Sequence, residues 1–237
     1  MLENQQSQSD AGWLALVATP IGNLDDVTLR ALAILRDADV IAAEDTRRTR
    51  KLLTHFEIHT KVISYHSHSE HAKTPELLDR VDRGEKIAVV TDAGTPGVSD
   101  PGFLIVRESV ARGIEPVVVP GASAVLFAVV AAGLPVDRFF FAGYPPNKSG
   151  KRRSFLRDLL RHDSTVFVYE SPYRIQKLLK EVCEELGEET PVAVIREATK
   201  VHEECIRGSA AQVSEQLDAR KPRGEYVVGL DLRGRQP

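Results

Sequence analysis

Residues 86–113 read KIAVVTDAGTPGVSDPGFLIVRESVARG, and the fold class turns on this stretch. Ile87–Thr91 is a nearly continuous apolar run, the pattern of a strand covered on both faces. Phe103–Arg112 has the length of a helix, and Gly113 follows where a left-handed residue usually caps one. The loop between them carries Gly94, Gly97 and Gly102, with Pro96 and Pro101, beside Asp92 and Asp100. Glycine lets a ligand approach the backbone and proline removes conformational freedom, so the loop can hold a ligand through main-chain groups. A purely structural role competes: Asp100 as N-cap, with Pro101 at the first helical position.

The same alternation extends outward. Leu14–Ala18, Val40–Ala43, Val62–Tyr65 and Pro116–Val119 read as strands; Val27–Arg36, Thr46–Phe56, Pro75–Arg83 and Ser123–Ala132 read as helices. The first, fourth and fifth strands are apolar enough to be covered on both faces. Strand–helix alternation implies a mostly parallel sheet with right-handed crossovers. A boundary is expected at Gly133–Asp137. Beyond it strands at Phe139–Ala142, Thr165–Tyr169, Val192–Arg196, His202–Arg207 and Tyr226–Leu232 no longer alternate strictly with the helices Arg153–Arg161, Ile175–Glu185 and Ala211–Ala219. The expected architecture is α/β, in two α/β domains at 12–135 and 136–237, the second with a mixed sheet, after a disordered leader at 1–11. A ligand is expected in the cleft between the domains.

Composition sets wide limits. The chain has 237 residues, 42% hydrophobic and 27% charged, as in ordinary globular proteins. No apolar run has the length of a membrane-spanning helix, and residues 1–10 lack the apolar core of a signal peptide. Cys183 and Cys205 are too few and too isolated for a disulfide framework or zinc site, so a cytoplasmic location is expected. His55 and His59 stand one helical turn apart, but no third ligand accompanies them and no metal is expected. The formal net charge of −3 excludes a broadly basic coat, not local basic patches. Such patches stand at Arg47–Lys51, at Lys148–Arg153 and at Arg220–Arg223.

In open α/β sheets ligands bind beyond the carboxyl ends of the strands. The turn after the first strand, Thr19-Pro20-Ile21-Gly22-Asn23, is not a dinucleotide fingerprint. The Asp92–Gly102 loop lacks the lysine of a phosphate cradle. Its two acids suit a ligand with hydroxyl, amino or cationic character, such as a sulfonium nucleoside. The small residues of Val119-Pro120-Gly121-Ala122-Ser123-Ala124 would let an adenine lie flat on the backbone.

Together these segments resemble the tetrapyrrole methylase superfamily, and within it the branch that 2′-O-methylates a cytidine in the decoding region of 16S ribosomal RNA. The resemblance is carried by ATPIGNLDDVTLRA from Ala18, AAEDTR from Ala42, VTDAGTP from Val90, DPG from Asp100, VPGASA from Val119 and GLPVDRF from Gly133. YESPYR from Tyr169, REATK from Arg196 and RGE from Arg223 continue it. It spans about Trp13 to Leu232. The chain departs from the branch at Tyr173 for a usual His, at Ala198 for Leu, and at Gly143–Pro146. The resemblance also implies that a small C-terminal extension of some relatives is missing.

The resemblance implies a homodimer that binds S-adenosylmethionine. The residues expected at the cofactor are Pro20, Gly22, Asp92, Ala93, Gly94, Val98, Asp100, Pro120, Gly121, Ser123 and Tyr169. Methyl transfer from a sulfonium is an in-line displacement, so the protein aligns the acceptor and removes its proton. Asp100, Glu44 and Lys200 are the chosen candidates for the base, with Asp45, Asp92 and Glu170 also fitting by residue type. The 16S RNA of the 30S subunit is the expected partner, through Arg47, Arg48, Lys148, Lys151, Arg152, Arg153, Arg174 and Arg196. Methylation of a corrin or porphyrin carbon, or a non-catalytic assembly role, are the competing readings; the intact DAGTP loop argues against the latter.

Overall fold

Five short strands and the helices between them build the first sheet: β1 (Trp13–Val17), α1 (Leu29–Asp37), β2 (Val40–Ala43), α2 (Thr46–His55), β3 (Lys61–Ser64), α3 (Glu70–Asp82), β4 (Lys86–Val90), α4 (Phe103–Ala111) and β5 (Val117–Val119). The computed structural model describes residues 12–235, so the expected leader at 1–11 lies outside the described residues. All four strand pairings are parallel, in the order β3-β2-β4-β1-β5. Alternation across each strand divides the core in two. Ala15, Val17, Ala88 and Val90 meet Leu32 and Leu35 of α1 and Leu53 of α2. Leu14, Leu16, Ile87 and Val89 meet Leu77, Leu78 and Ile105 of α3 and α4 on the other face.

This order creates a switch point. The connection from β1 passes β4 to reach β2, whereas the connection from β4 passes β1 to reach β5. Their helices, α1 and α4, lie on opposite faces. A crevice is therefore expected between the carboxyl ends of β1 and β4.

The second sheet contains β6 (Phe139–Phe141), β7 (Thr165–Glu170), β8 (Pro191–Arg196), β9 (Glu204–Ser209) and β10 (Tyr226–Asp231), ordered β6-β7-β10-β8-β9. Only β6–β7 is parallel; the other pairs are antiparallel, so the sheet is mixed as expected. Helices α6 (Ser149–Leu159), α7 (Ile175–Leu186) and α8 (Ala210–Asp218) cover one face. On the other, Val125 and Ala128 of α5 (Ala124–Ala131) pack with Phe167, Ala193 and Val227.

That packing moves the division of the chain. The structure forms two compact units, the first ending at Ala122 and the second beginning at Ser123, not at 135/136. The strand–helix rhythm of the sequence places α5 with the first half, but Val125 and Ala128 of the helix are buried by the second sheet. Three local readings also change. Helix α3 begins at Glu70 and holds Pro75 inside it, where the sequence suggested Pro75 near the start. Strand β5 is an edge, with Val117 and Val118 exposed rather than covered on both faces. Asp100 is not the N-cap of α4: that position is Gly102, at φ 143°, and no side chain caps it. A Cβ on Gly102 would stand 2.7 Å from the Gly97 nitrogen, so glycine is required there.

Candidate active site

At the switch point the loops after β1 and β4 are joined by main-chain bonds. The Thr19 amide donates to the Gly94 carbonyl at 2.9 Å, and the Gly94 amide returns a bond to Thr19 at 3.0 Å. The Thr19 hydroxyl donates to the Thr91 carbonyl at 3.3 Å. On the other side of β1 the Ala18 amide donates to the Val119 carbonyl. A Cβ on Gly121 would come within 2.9 Å of the Ala18 Cβ. Pro20, Ala93, Gly94, Pro120 and Gly121 therefore belong to one set of interlocked turns. Gly22 lies exposed farther along the first of these, and Val98 is half-buried in the loop after β4. Ser123 and Tyr169 belong to the second unit, Ser123 as the N-cap residue of α5.

Three carboxylates gather along the carboxyl edge of β2 and β4, with separate roles. Asp92 accepts a 2.9 Å hydrogen bond from the Asp45 amide and lies 3.5 Å from the Arg48 guanidinium, which ties the start of α2 to the β4 loop. Asp45 caps α2 by accepting from the Arg47 amide at 2.8 Å. Hydrogen bonds from the Arg47 side chain and amide lower its pKa to about 2, so it does not serve as a base. Glu44 accepts from the Asp92 amide at 3.4 Å; burial is the main cause that raises its pKa, and the Asp92 charge adds to it.

Asp100 is different. It is half-buried, and among the described residues no donor hydrogen-bonds its carboxylate. Burial first, then the charges of Glu44 and Asp92, push its pKa up to about 6. An unpaired carboxylate poised near neutrality suits proton abstraction.

Lys200 is set apart by charge. It lies after β8, 2.9 Å from Glu197 and 2.8 Å from Glu225. Burial lowers its pKa, but those two partners outweigh burial and the net shift is upward. A lysine held protonated in this way is a poor base, which corrects its candidacy. Glu170 is buried at the end of β7. One oxygen accepts from the Ser171 amide and pairs with Arg174 at 2.6 Å, and the other has no hydrogen-bond partner among the described residues. Burial raises its pKa.

The basic residues divide in the same manner. Arg47 and Arg48 are exposed on α2. Lys148 and Lys151 are exposed at the start of α6 with no ion pair among the described residues. Arg152, expected to meet RNA, is only 3% exposed: it pairs with Glu181 at 2.5 Å and donates to the Asn147 carbonyl. Arg153 is engaged by Glu184 and Glu185. Arg174 and Arg196 are mostly covered, the latter donating to the Arg223 carbonyl and lying 3.5 Å from Glu204.

Sequence reading missed a hollow on the first unit lined by Thr19, Pro20, Leu24, Arg48, Lys51 and Asp92. The spacing of Arg48, Lys51 and Leu52 on one side of α2 was the available signal. His66, which the sequence suggests as a surface or RNA-facing group beside the third strand, is half-buried, and among the described residues its Nδ1 has no hydrogen-bond partner.

The family model described as Tetrapyrrole (Corrin/Porphyrin) Methylases matches residues 14–214. A Synechocystis protein named ribosomal RNA small subunit methyltransferase I is 45% identical over 92% of this chain and 78% of its own length. Its namesake from Thermotoga maritima is 40% identical over 92% of this chain and 98% of its own. The chain belongs to the ribosomal RNA small subunit methyltransferase I family. It is a methyltransferase of the wider tetrapyrrole methylase group, whose members depend on S-adenosylmethionine. The fold is shared with uroporphyrin-III C-methyltransferase from Thermus thermophilus, solved in complex with S-adenosyl homocysteine. That likeness has a TM-score of 0.63 and 19% identity, over 93% of this chain and 98% of that one.

Proposed function

We propose that this member of the ribosomal RNA small subunit methyltransferase I family transfers a methyl group from S-adenosylmethionine to the ribose 2′-oxygen of a cytidine in the decoding region of 16S RNA. It acts as a cytoplasmic homodimer on the 30S subunit. The relatives' shared name supports ribosomal RNA as acceptor. No helix among the described residues is long and apolar enough to cross a membrane. The observation that carries the chemistry is Asp100: half-buried, with no hydrogen-bond or ion-pair partner among the described residues, and with its pKa about 6.

The residues present fit the cofactor. A sulfonium is a cation, and Glu44, Asp92 and Asp100 supply negative charge at the carboxyl edge of the first sheet. Where Gly121 packs against Ala18 no side chain could be accommodated, leaving backbone as the surface for a flat ring. The main chain of Asp92–Val98, with Pro20, Gly22, Pro120 and Gly121, would hold the nucleoside. When bound, S-adenosylmethionine supplies an electrophilic methyl group. Asp100, ionised above pH 6, takes the proton of the ribose hydroxyl, a contribution of about 10²–10⁴ in rate. Asp92 keeps α2 docked and so fixes Glu44 beside it. Arg47, Arg48, Lys148 and Lys151 meet RNA phosphates.

Transfer of labelled methyl to 30S subunits lacking the modification, followed by nuclease mapping, tests this reading. Label on a 2′-oxygen of a decoding-region cytidine is expected. Label on a base, or on a tetrapyrrole but not on RNA, would overturn it.

A further inference from the structure

The parallel pairing of β6 and β7 puts their carboxyl ends at one edge of the second sheet, so the loops that follow them are neighbours. Three bonds hold these loops together. The Tyr169 amide donates to the Gly143 carbonyl at 2.9 Å, and Arg174 donates to the Pro145 carbonyl at 3.4 Å and to the Asn147 side chain. Arg174 is itself fixed by the buried Glu170 carboxylate at 2.6 Å. On this base stand two exposed aromatic side chains. Tyr173, next to Arg174, is 91% exposed; Tyr144, next to Pro145, is 58% exposed. The Tyr144 ring packs edge-on to Tyr169 at 5.4 Å between centroids, which orients it. Lys148, just before α6, and Lys151, in its first turn, follow at once.

We propose that Tyr144 and Tyr173 form a stacking platform for an unpaired nucleotide of the RNA substrate, with Lys148 and Lys151 receiving the adjoining phosphates. The inference rests on the reading of the protein as an RNA methyltransferase and goes beyond it in naming the recognised feature. Single-stranded RNA is recognised by stacking splayed bases on aromatic side chains beside cationic groups. A tyrosine whose ring lies almost wholly in water gains no burial from the fold. The unpaired lysines alongside supply the charge that a phosphate chain complements and a neutral apolar partner would not.

The test compares Tyr173→Ala and Tyr144→Ala with Tyr173→Phe and Tyr144→Phe, using unmodified 30S subunits as acceptor. Each alanine variant is expected to weaken binding by about 5- to 150-fold, the range of one lost base stack, with kcat and S-adenosylmethionine affinity little changed. Each phenylalanine variant stays within about threefold of wild type, because the ring is retained. The dependence of affinity on salt keeps its slope in the tyrosine variants and flattens in Lys148→Ala/Lys151→Ala, because only the latter removes phosphate contacts. Alanine variants that bind 30S as wild type does, or phenylalanine variants that fall as far as alanine, overturn the platform. Wild-type protein that binds S-adenosylmethionine but transfers nothing to 30S overturns the RNA reading itself, and the platform with it.

Discussion

The main chains of Thr19 and Gly94 exchange hydrogen bonds in both directions, at 2.9 and 3.0 Å, and so close the switch point between β1 and β4. The exchange depends on Gly94 holding φ at 82°. Space is not the constraint there, since an added Cβ would meet Ile21 at 3.5 Å and the Ala122 carbonyl at 3.8 Å, ordinary contacts. Gly94→Ala therefore incurs a conformational cost of about 1–2 kcal/mol, and Gly94→Asn, which tolerates the left-handed region better, incurs less. Urea unfolding of the three proteins should give that order; equal losses for Ala and Asn would count against it.

Gly121 fails for the opposite reason. Its φ is permissible for any residue, but a Cβ there would lie 2.9 Å from the Ala18 Cβ. Gly121→Ala is expected to push the Pro120–Ala122 turn off β1 and weaken S-adenosylmethionine binding at least tenfold. Ala18→Gly removes the opposing atom and should restore most of the affinity in the double variant. Calorimetric titration of the four proteins checks the coupling; additive losses would remove it.

Asp100 ties activity to pH in one direction and stability in the other. Its folded pKa, about 6, stands above the ordinary value of 3.8, so the fold favours the protonated form. The resulting stability is full below pH 3.8 and is lost as pH rises through 6. Asp100→Asn is consequently expected to be more stable than wild type at pH 7–8, by about 1 kcal/mol after allowing for solvent screening. As a base the carboxylate must be ionised, so kcat/KM for 30S should rise to a plateau through an apparent pKa near 6. That limb disappears in Asp100→Asn, along with about 10²-fold or more of the rate. Because Glu44 and Asp92 share the field, the limb belongs to the cluster, and Glu44→Gln should move it to lower pH. A limb that persists in Asp100→Asn would assign the base elsewhere.

How far the sequence exposed this arrangement depends on the kind of interaction involved. The strands around Ile87–Thr91 and Leu14–Ala18 were legible because burial on both faces leaves a continuous apolar run. The turns that interlock at the switch point were legible because glycine and proline mark backbone that must bend. Local pattern does not report which sheet buries a helix, and so α5 was assigned to the wrong half. Nor does it report the partner of a charge: Arg152 and Lys151 are adjacent, yet one is buried against Glu181 and the other is free in solvent. The Asp100–Pro101 pair looked like a helix start, and only the positive φ of Gly102 shows that the cap lies two residues later and leaves Asp100 unpaired.

The contrast between those two neighbours gives the last expectation. Glu181 is ionised despite burial, which raises its pKa, because Arg152 and Ser149 more than compensate through hydrogen bonds at 2.5 and 2.7 Å. Arg152→Met strands that carboxylate in the interior and should destabilise the second unit by about 3–5 kcal/mol. The double variant Arg152→Met/Glu181→Leu removes both charges at similar volume and is expected to recover most of the loss, as buried pairs exchanged for apolar groups commonly do. Thermal and urea unfolding measure both. At a temperature where the double variant is folded, its affinity for 30S should follow the same salt slope as wild type, since Arg152 reaches no phosphate. Lys151→Ala, which leaves the core untouched, should flatten that slope by about one unit with no change in melting temperature. If the double variant flattened the slope as Lys151→Ala does, Arg152 would have to leave Glu181 when RNA binds, and the buried pair would be a latch rather than a fixed part of the core.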